Sequence, residues 1–214
     1  MEKIVFIDTL TTGMNPERCA IYRIGGIVVV DGTERSRFDL RCCPPSGARI
    51  NDQSLWIGGE SRASVIRYPD QADAFRDFLS VIDETVVLRN PNDKAYLAGF
   101  NASAFDVPFL REWFRKNGNE RFRDYFHVQT MDLMTLSAFA LMQERENLPN
   151  FHLESAAEAL GVKAPIGGKY DCISNAELAK ELFFTLREKF GTGSGSDGKA
   201  TDKVFTNVKN HSQK

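Results

Sequence analysis

The 214-residue chain has no run of about 18 consecutive apolar residues, so no segment is long enough to cross a bilayer as a helix, and no membrane partner is expected. Its first residues, MEKIVFID, lack the basic and apolar regions of a secretory leader and pass directly into a strand-like pattern, which makes a cytoplasmic location the expectation. Cysteine is sparse. Cys19, Cys42, Cys43 and Cys172 form no C-x-x-C pair, and adjacent residues of a strand such as Cys42 and Cys43 point to opposite faces, so free thiols are expected rather than disulfides or zinc ligands. Neither sign of charge dominates: 27 Lys and Arg oppose 29 Asp and Glu, for a net charge of −2. That balance excludes binding to nucleic acid through a uniformly basic surface, while leaving room for a local basic groove. One more absence is local. In F-I-D-T-L-T-T-G, residues 6–13, Asp8 ends an apolar run, and the position two residues on, which faces the same way on a strand, is Leu10 rather than a second acid.

What is present reads as one α/β domain with a tail. Ile4–Asp8 and Ile21–Val30 read as strands, the Asp31-Gly32 pair as a hairpin turn, and residues 35–43 as a third strand ended by Pro44-Pro45. Residues 44–68 read as loop. After Pro69, the spacing of Ala72, Phe75, Phe78, Leu79 and Ile82 predicts a helix, and Ala95–Phe100 predicts a further strand. Helices are predicted over Ala104–Asn117, around Leu133–Glu146, over Leu153–Leu160 before Gly161, and over about Asn175–Phe190. The composition then changes: GTGSGSDGK is a flexible linker, followed by a polar segment with an apolar island at Val204, Phe205 and Val208. The expected organisation is a domain at 1–190 and a linker with a polar tail at 191–214.

Three stretches carry a resemblance. V-F-I-D-T-L-T-T-G, then G-F-N-A-S-A-F-D-V-P-F-L-R, then K-Y-D-C-I-S-N-A-E-L-A-K-E-L-F resemble, in order and framing, the three exonuclease motifs of the DEDD superfamily, which includes proofreading 3′–5′ exonucleases and oligoribonucleases. The resemblance covers about residues 3–190. It implies a ribonuclease H-like α/β fold with a mixed five-stranded sheet flanked by helices. It also implies a chemistry in which two divalent ions, held by four carboxylates, generate an attacking hydroxide and stabilise charge on the phosphate. Hard oxygen ligands suit Mg²⁺ in that role.

The family's catalytic positions fall on Asp8, Leu10, Asp106, Tyr170 and Asn175. Asp8 and Asp106 keep their carboxylates. Leu10 stands where the resemblance implies Glu, Asn175 where it implies Asp, and Tyr170 where it implies the general-base His. Asp8 and Asp106 alone would hold one Mg²⁺ or Mn²⁺ weakly, and with two of four mutually repelling acids gone, no cofactor is expected to be needed for folding. Thr9, Thr11, Gly13, Asn101 and Phe105 are the positions that the resemblance implies for contact with a nucleic-acid 3′ end. Phe100, Trp56 and Tyr170 are further aromatic candidates for stacking. Asp132, Asp171, Glu158 and Glu177 are the acids considered as substitutes, with solvated or helix-face positions as the competing expectation. His152, which precedes a helix, is expected to cap it or lie at the surface.

The reading that follows is a catalytically degenerate exonuclease fold acting through single-stranded DNA or RNA, or through a protein partner. The alternatives are an active metal-dependent exonuclease with a rearranged site, and an interaction module whose tail engages an assembly.

Overall fold

The computed structural model describes residues 1–163 and 171–192. Tyr170 and residues 193–214 of the expected linker and tail lie outside the described residues.

Strand β1 (Lys3–Thr11) pairs antiparallel with β2 (Ile21–Val30), which pairs antiparallel with β3 (Thr33–Arg41). On its other side β1 pairs in parallel with β4 (Tyr96–Gly99), which pairs in parallel with β5 (Met131–Asp132). The order β3-β2-β1-β4-β5 is the mixed five-stranded sheet that the resemblance implied.

The period of two in β1 sorts its side chains between two cores. Val5 and Ile7 face a layer built on α3 (Gln71–Asp83) and α4 (Asp106–Lys116), where Phe75, Phe78, Leu110, Trp113 and Phe114 pack. Ile4 and Phe6 face α6 (Leu133–Ala140), α7 (Leu153–Ala159) and α8 (Cys172–Thr192), with Ala176, Leu178, Leu182 and Leu186. Asp8 and Leu10 continue the second register and Thr9 the first, so the next three residues of the strand are dealt alternately to the two sides.

Helix α8 comes very close to the sheet. A Cβ on Gly25 would stand 2.7 Å from the Cys172 backbone and 2.8 Å from the Ile173 nitrogen, so only glycine permits this approach. Gly25 is the register partner of Asp8, and the helix N-terminus is thereby held against the acid.

Several expectations need correction. The segment 44–68 is not all loop: Asn51 caps a short α1 (Asp52–Ile57), and Ser61 forms a capping box with Ser64 at α2 (Arg62–Val65). A short helix α5 (Phe122–Tyr125) follows α4. The helix expected to reach Glu146 stops at Ala140, and residues 145–147 form a separate 3₁₀ turn. Helix α8 starts three residues before Asn175 and runs to Thr192, across the expected boundary at 190. All four cysteines are free thiols, as expected. No described helix is long and apolar enough to cross a membrane.

Candidate functional site

The site is assembled from the end of β1, the first turn of α4 and the first turn of α8. Asp8, facing α8, accepts a hydrogen bond on Oδ2 from Nδ2 of Asn175 at 3.2 Å. Thr9, facing the other way, donates its hydroxyl to Oδ1 of the buried Asp106 at 2.6 Å. Strand alternation thus supplies both contacts from consecutive residues.

Burial pushes the Asp8 carboxyl from the ordinary 3.8 up to about 7; the hydrogen bonds from Asn175 and Cys172 oppose the rise, and the Asp171 charge adds to it. Asp106 is raised well above the carboxylate range, first by burial and then by the charge of Asp8. The two acids therefore compete for ionisation, each making the other harder to charge.

Leu10 does not reach into this polar pair as a ligand. It is half-buried against a small apolar cluster of Tyr22, Leu55 and Val65, together with Ile50 and Tyr68. Its Cδ1 lies 3.2 Å from where a Cβ on Gly58 would stand.

The residues expected to meet a 3′ end are brought around β1 but are largely engaged within the protein. The Thr9 hydroxyl is committed to Asp106. The buried Thr11 hydroxyl donates to the Gly13 carbonyl at 2.7 Å. A Cβ on Gly13 would meet Cys19 Sγ at 2.6 Å, which gives that glycine a packing reason. Asn101 adopts φ +63°, and its amide N–H donates to Asp132 at 3.2 Å. The Phe105 ring packs on the core 5.1 Å from Phe109. Phe100 packs on the second core, whereas Trp56 of α1 is 77% exposed. Tyr170 lies outside the described residues.

The acids considered as substitutes have other employment. Asp132 is neither solvated nor directed at Asp8. It is buried, caps α6 through the Met134 N–H at 3.0 Å, and accepts the Ser103 N–H at 2.9 Å and the Ser103 hydroxyl. It fixes the loop that delivers Asp106. Asp171 accepts from the Ser174 N–H at 3.0 Å and hydroxyl at 2.7 Å, and pairs with Arg23 at 2.5 Å. Burial opposes its ionisation, but these bonds hold its carboxyl below the usual range. Glu177 pairs with Arg37 at 3.1 Å, and Glu158 is exposed. His152 sits at the N-cap of α7 and makes no side-chain cap bond.

Two contributors were not anticipated. The Cys172 thiol, which donates to the Arg23 carbonyl at 4.0 Å, eases the charge of Asp8, and Arg23 clamps Asp171 and Asp39 beside the same helix start. Cys172 precedes Asn175 by three, the spacing that puts two helical side chains on one face, and that signal was present in the sequence.

Among the described residues, no three His, Cys, Asp or Glu side chains converge as metal ligands. Two carboxyls held toward their neutral forms, one against an amide donor and the other against a hydroxyl, do not fit the two-ion centre of four ionised acids.

A ribonuclease H-like sheet with acids at the end of its first strand and at the start of the helix after its fourth defines the DEDD-type 3′–5′ exonuclease fold. The profile of the exonuclease family (RNase T) matches residues 5–165, and the chain belongs to that family. No curated protein matches the chain in sequence. Among solved structures it resembles E. coli exonuclease I in complex with a dT13 oligonucleotide, at 17% identity over 90% of this chain and 42% of the other, with a TM-score of 0.69. The zinc-bound form of the E. coli enzyme with single-stranded DNA gives 18% identity, 88% and 41% coverage, and a TM-score of 0.69. The chain spans about two fifths of the length of these proteins.

Proposed function

We propose that this protein is a catalytically degenerate member of the exonuclease family that binds the 3′ end of single-stranded nucleic acid without hydrolysing it. The observation that carries the reading is the Asn175 amide donating to Asp8 Oδ2. An N–H donor occupies one oxygen of a carboxylate that the family's ions would need as a ligand, and it stands where the resemblance implies a fourth ligand. Leu10, packed among apolar side chains, contributes no oxygen. Asp8 and Asp106 bind Mg²⁺ or Mn²⁺ weakly at best on this reading, because each ion must first displace a proton or a hydrogen bond. Single-stranded DNA or RNA as ligand is supported by the fold shared with an enzyme solved on oligonucleotides.

The rearranged-site alternative loses support from the engagement of Asp132 and Asp171 in capping and ion pairing. The test is incubation of end-labelled single-stranded DNA and RNA with the full chain in Mg²⁺ and in Mn²⁺, beside Asp8→Ala. Retention of full-length substrate, with binding in a mobility assay, is the expected result. Time-dependent shortening that disappears in Asp8→Ala would overturn the proposal and establish an active enzyme.

A further inference from the structure

At the connection between β1 and β2, three cations are gathered around one pocket. Arg18, Arg49 and Lys116 line a depression of about 660 Å³ whose remaining walls are Glu17 and the turn Pro45–Ala48. The grouping is built by the backbone rather than by chance side-chain positions. The Arg49 N–H donates to the Arg18 carbonyl at 2.7 Å, which locks the two segments together. The Thr12 hydroxyl donates to the Arg49 carbonyl at 2.6 Å. Lys116 Nζ donates to the Pro16 and Cys19 carbonyls at 2.8 and 2.9 Å, so its charge is fixed at the edge of the pocket.

Arg18 and Arg49 are exposed, and neither guanidinium makes an ion pair among the described residues. Seven of the fourteen other arginines, Arg23, Arg37, Arg62, Arg76, Arg115, Arg121 and Arg187, pair with carboxylates. Three cations line the pocket with one acid, Glu17, while Glu112 acts on Lys116 from outside it, so positive charge is in excess at the pocket of a protein whose net charge is negative. An anion with several oxygens offsets that excess, and planar guanidinium groups suit phosphate oxygens in particular.

We propose that Arg18, Arg49 and Lys116 form a phosphate-binding pocket whose ligand is the phosphodiester backbone of single-stranded nucleic acid. The inference rests on the reading of this chain as a single-strand binder, and extends it beyond the Asp8 cleft. Thr12, which ties down Arg49, follows Asp8 by four residues, a run of about 13 Å at strand rise. A strand with its end near Asp8 can therefore lay a more distant phosphate in the pocket.

The experiment compares full-length wild type with the double variant Arg18→Gln, Arg49→Gln. Lys116 is left intact because it anchors the turn. A second double variant, Arg76→Gln, Arg187→Gln, removes the same charge from outside the pocket. Anisotropy of a labelled oligothymidylate is read over a salt series, and calorimetric titration with inorganic pyrophosphate is run in parallel. The pocket variant should bind the oligonucleotide about tenfold more weakly, with a log–log salt slope shallower by about 1.4 for two lost contacts. It should also lose the pyrophosphate signal, while the control variant keeps both. Equal affinities and slopes in wild type and pocket variant would overturn the pocket and leave the cleft reading standing. If wild type binds no oligonucleotide, the single-strand reading fails and with it the proposed ligand; a pyrophosphate signal dependent on Arg18 and Arg49 would then identify an anion site of another kind.

Discussion

Substituting Asp8 by Asn tests the electrostatics of the site directly. Asn keeps a carbonyl oxygen for the Asn175 amide but cannot ionise. In the wild type, the Asp8 carboxyl titrates near 7 instead of the ordinary 3.8, chiefly because it is buried. Between those values the folded protein holds a proton that the unfolded chain has released, so unfolding free energy falls as pH rises through the interval. Each tenfold change in proton affinity is worth about 1.4 kcal/mol. The interval thus corresponds to at most about 4 kcal/mol, and sharing of protons with Asp106 lowers the net effect to about 2 to 4 kcal/mol. Thermal melts in chelator from about pH 5 to about pH 8.5 should show a gap between the two proteins that is already open at the acid end, because the free carboxyl ionises near 3.8, and that widens until the pH passes about 7. At the alkaline end Asp8→Asn should melt higher by about 5 to 15 °C. Surface carboxylates cancel in the difference. Parallel curves for the two proteins across the range would refute the reasoning, and so would a wild type that melts higher at alkaline pH.

Gly25→Ala should destabilise the fold by about 1 to 3 kcal/mol, because its methyl would sit 2.7 Å from the Cys172 backbone; denaturant midpoints measure the loss. The double variant Leu10→Glu, Asn175→Asp restores two acids, so it should melt lower than wild type in chelator. Saturating Mg²⁺ or Mn²⁺ should raise its melting temperature, with about 2.7 kcal/mol expected at a hundredfold excess over Kd, while the wild type stays unchanged. A wild type stabilised equally by metal would show that the two native carboxyls already form a competent site.

The elements that carry a clear period were legible in the sequence. The β2–β3 hairpin followed from its Asp-Gly pair, and α3 and α4 from apolar residues spaced by three and four. The two-residue β5 was not, since no period fits in two residues and its place depends on pairing with β4. The short helices α1 and α2 depend on local caps at Asn51 and Ser61 more than on hydrophobic pattern. At the site, motif order located Asp8, Asp106 and Asn175. It did not reveal that Asp132 is buried as a cap, because a helix-capping Asp and a solvated Asp look alike until the loop at 101–103 folds onto it. Thr9 and Thr11 illustrate the same limit: hydroxyls that the resemblance directs toward a ligand are satisfied by Asp106 and Gly13.

The substituted positions are more informative together than singly. An isolated loss of Glu at position 10 would leave a gap beside an acid. Here Leu10 instead completes an apolar cluster with Tyr22, Leu55 and Val65, while the amide of Asn175 supplies Asp8 with a donor. Each change fits its own neighbours: a hydrocarbon among hydrocarbons, and a neutral donor against a buried acid. Two carboxylates at these places would each need an ion or a proton to offset burial and mutual repulsion. The present pair of residues removes that requirement and leaves the close contact of α8 with β2 intact. On the proposed reading, the same fold stands without the ions its family motifs imply, which is the condition a non-hydrolytic binder has to meet.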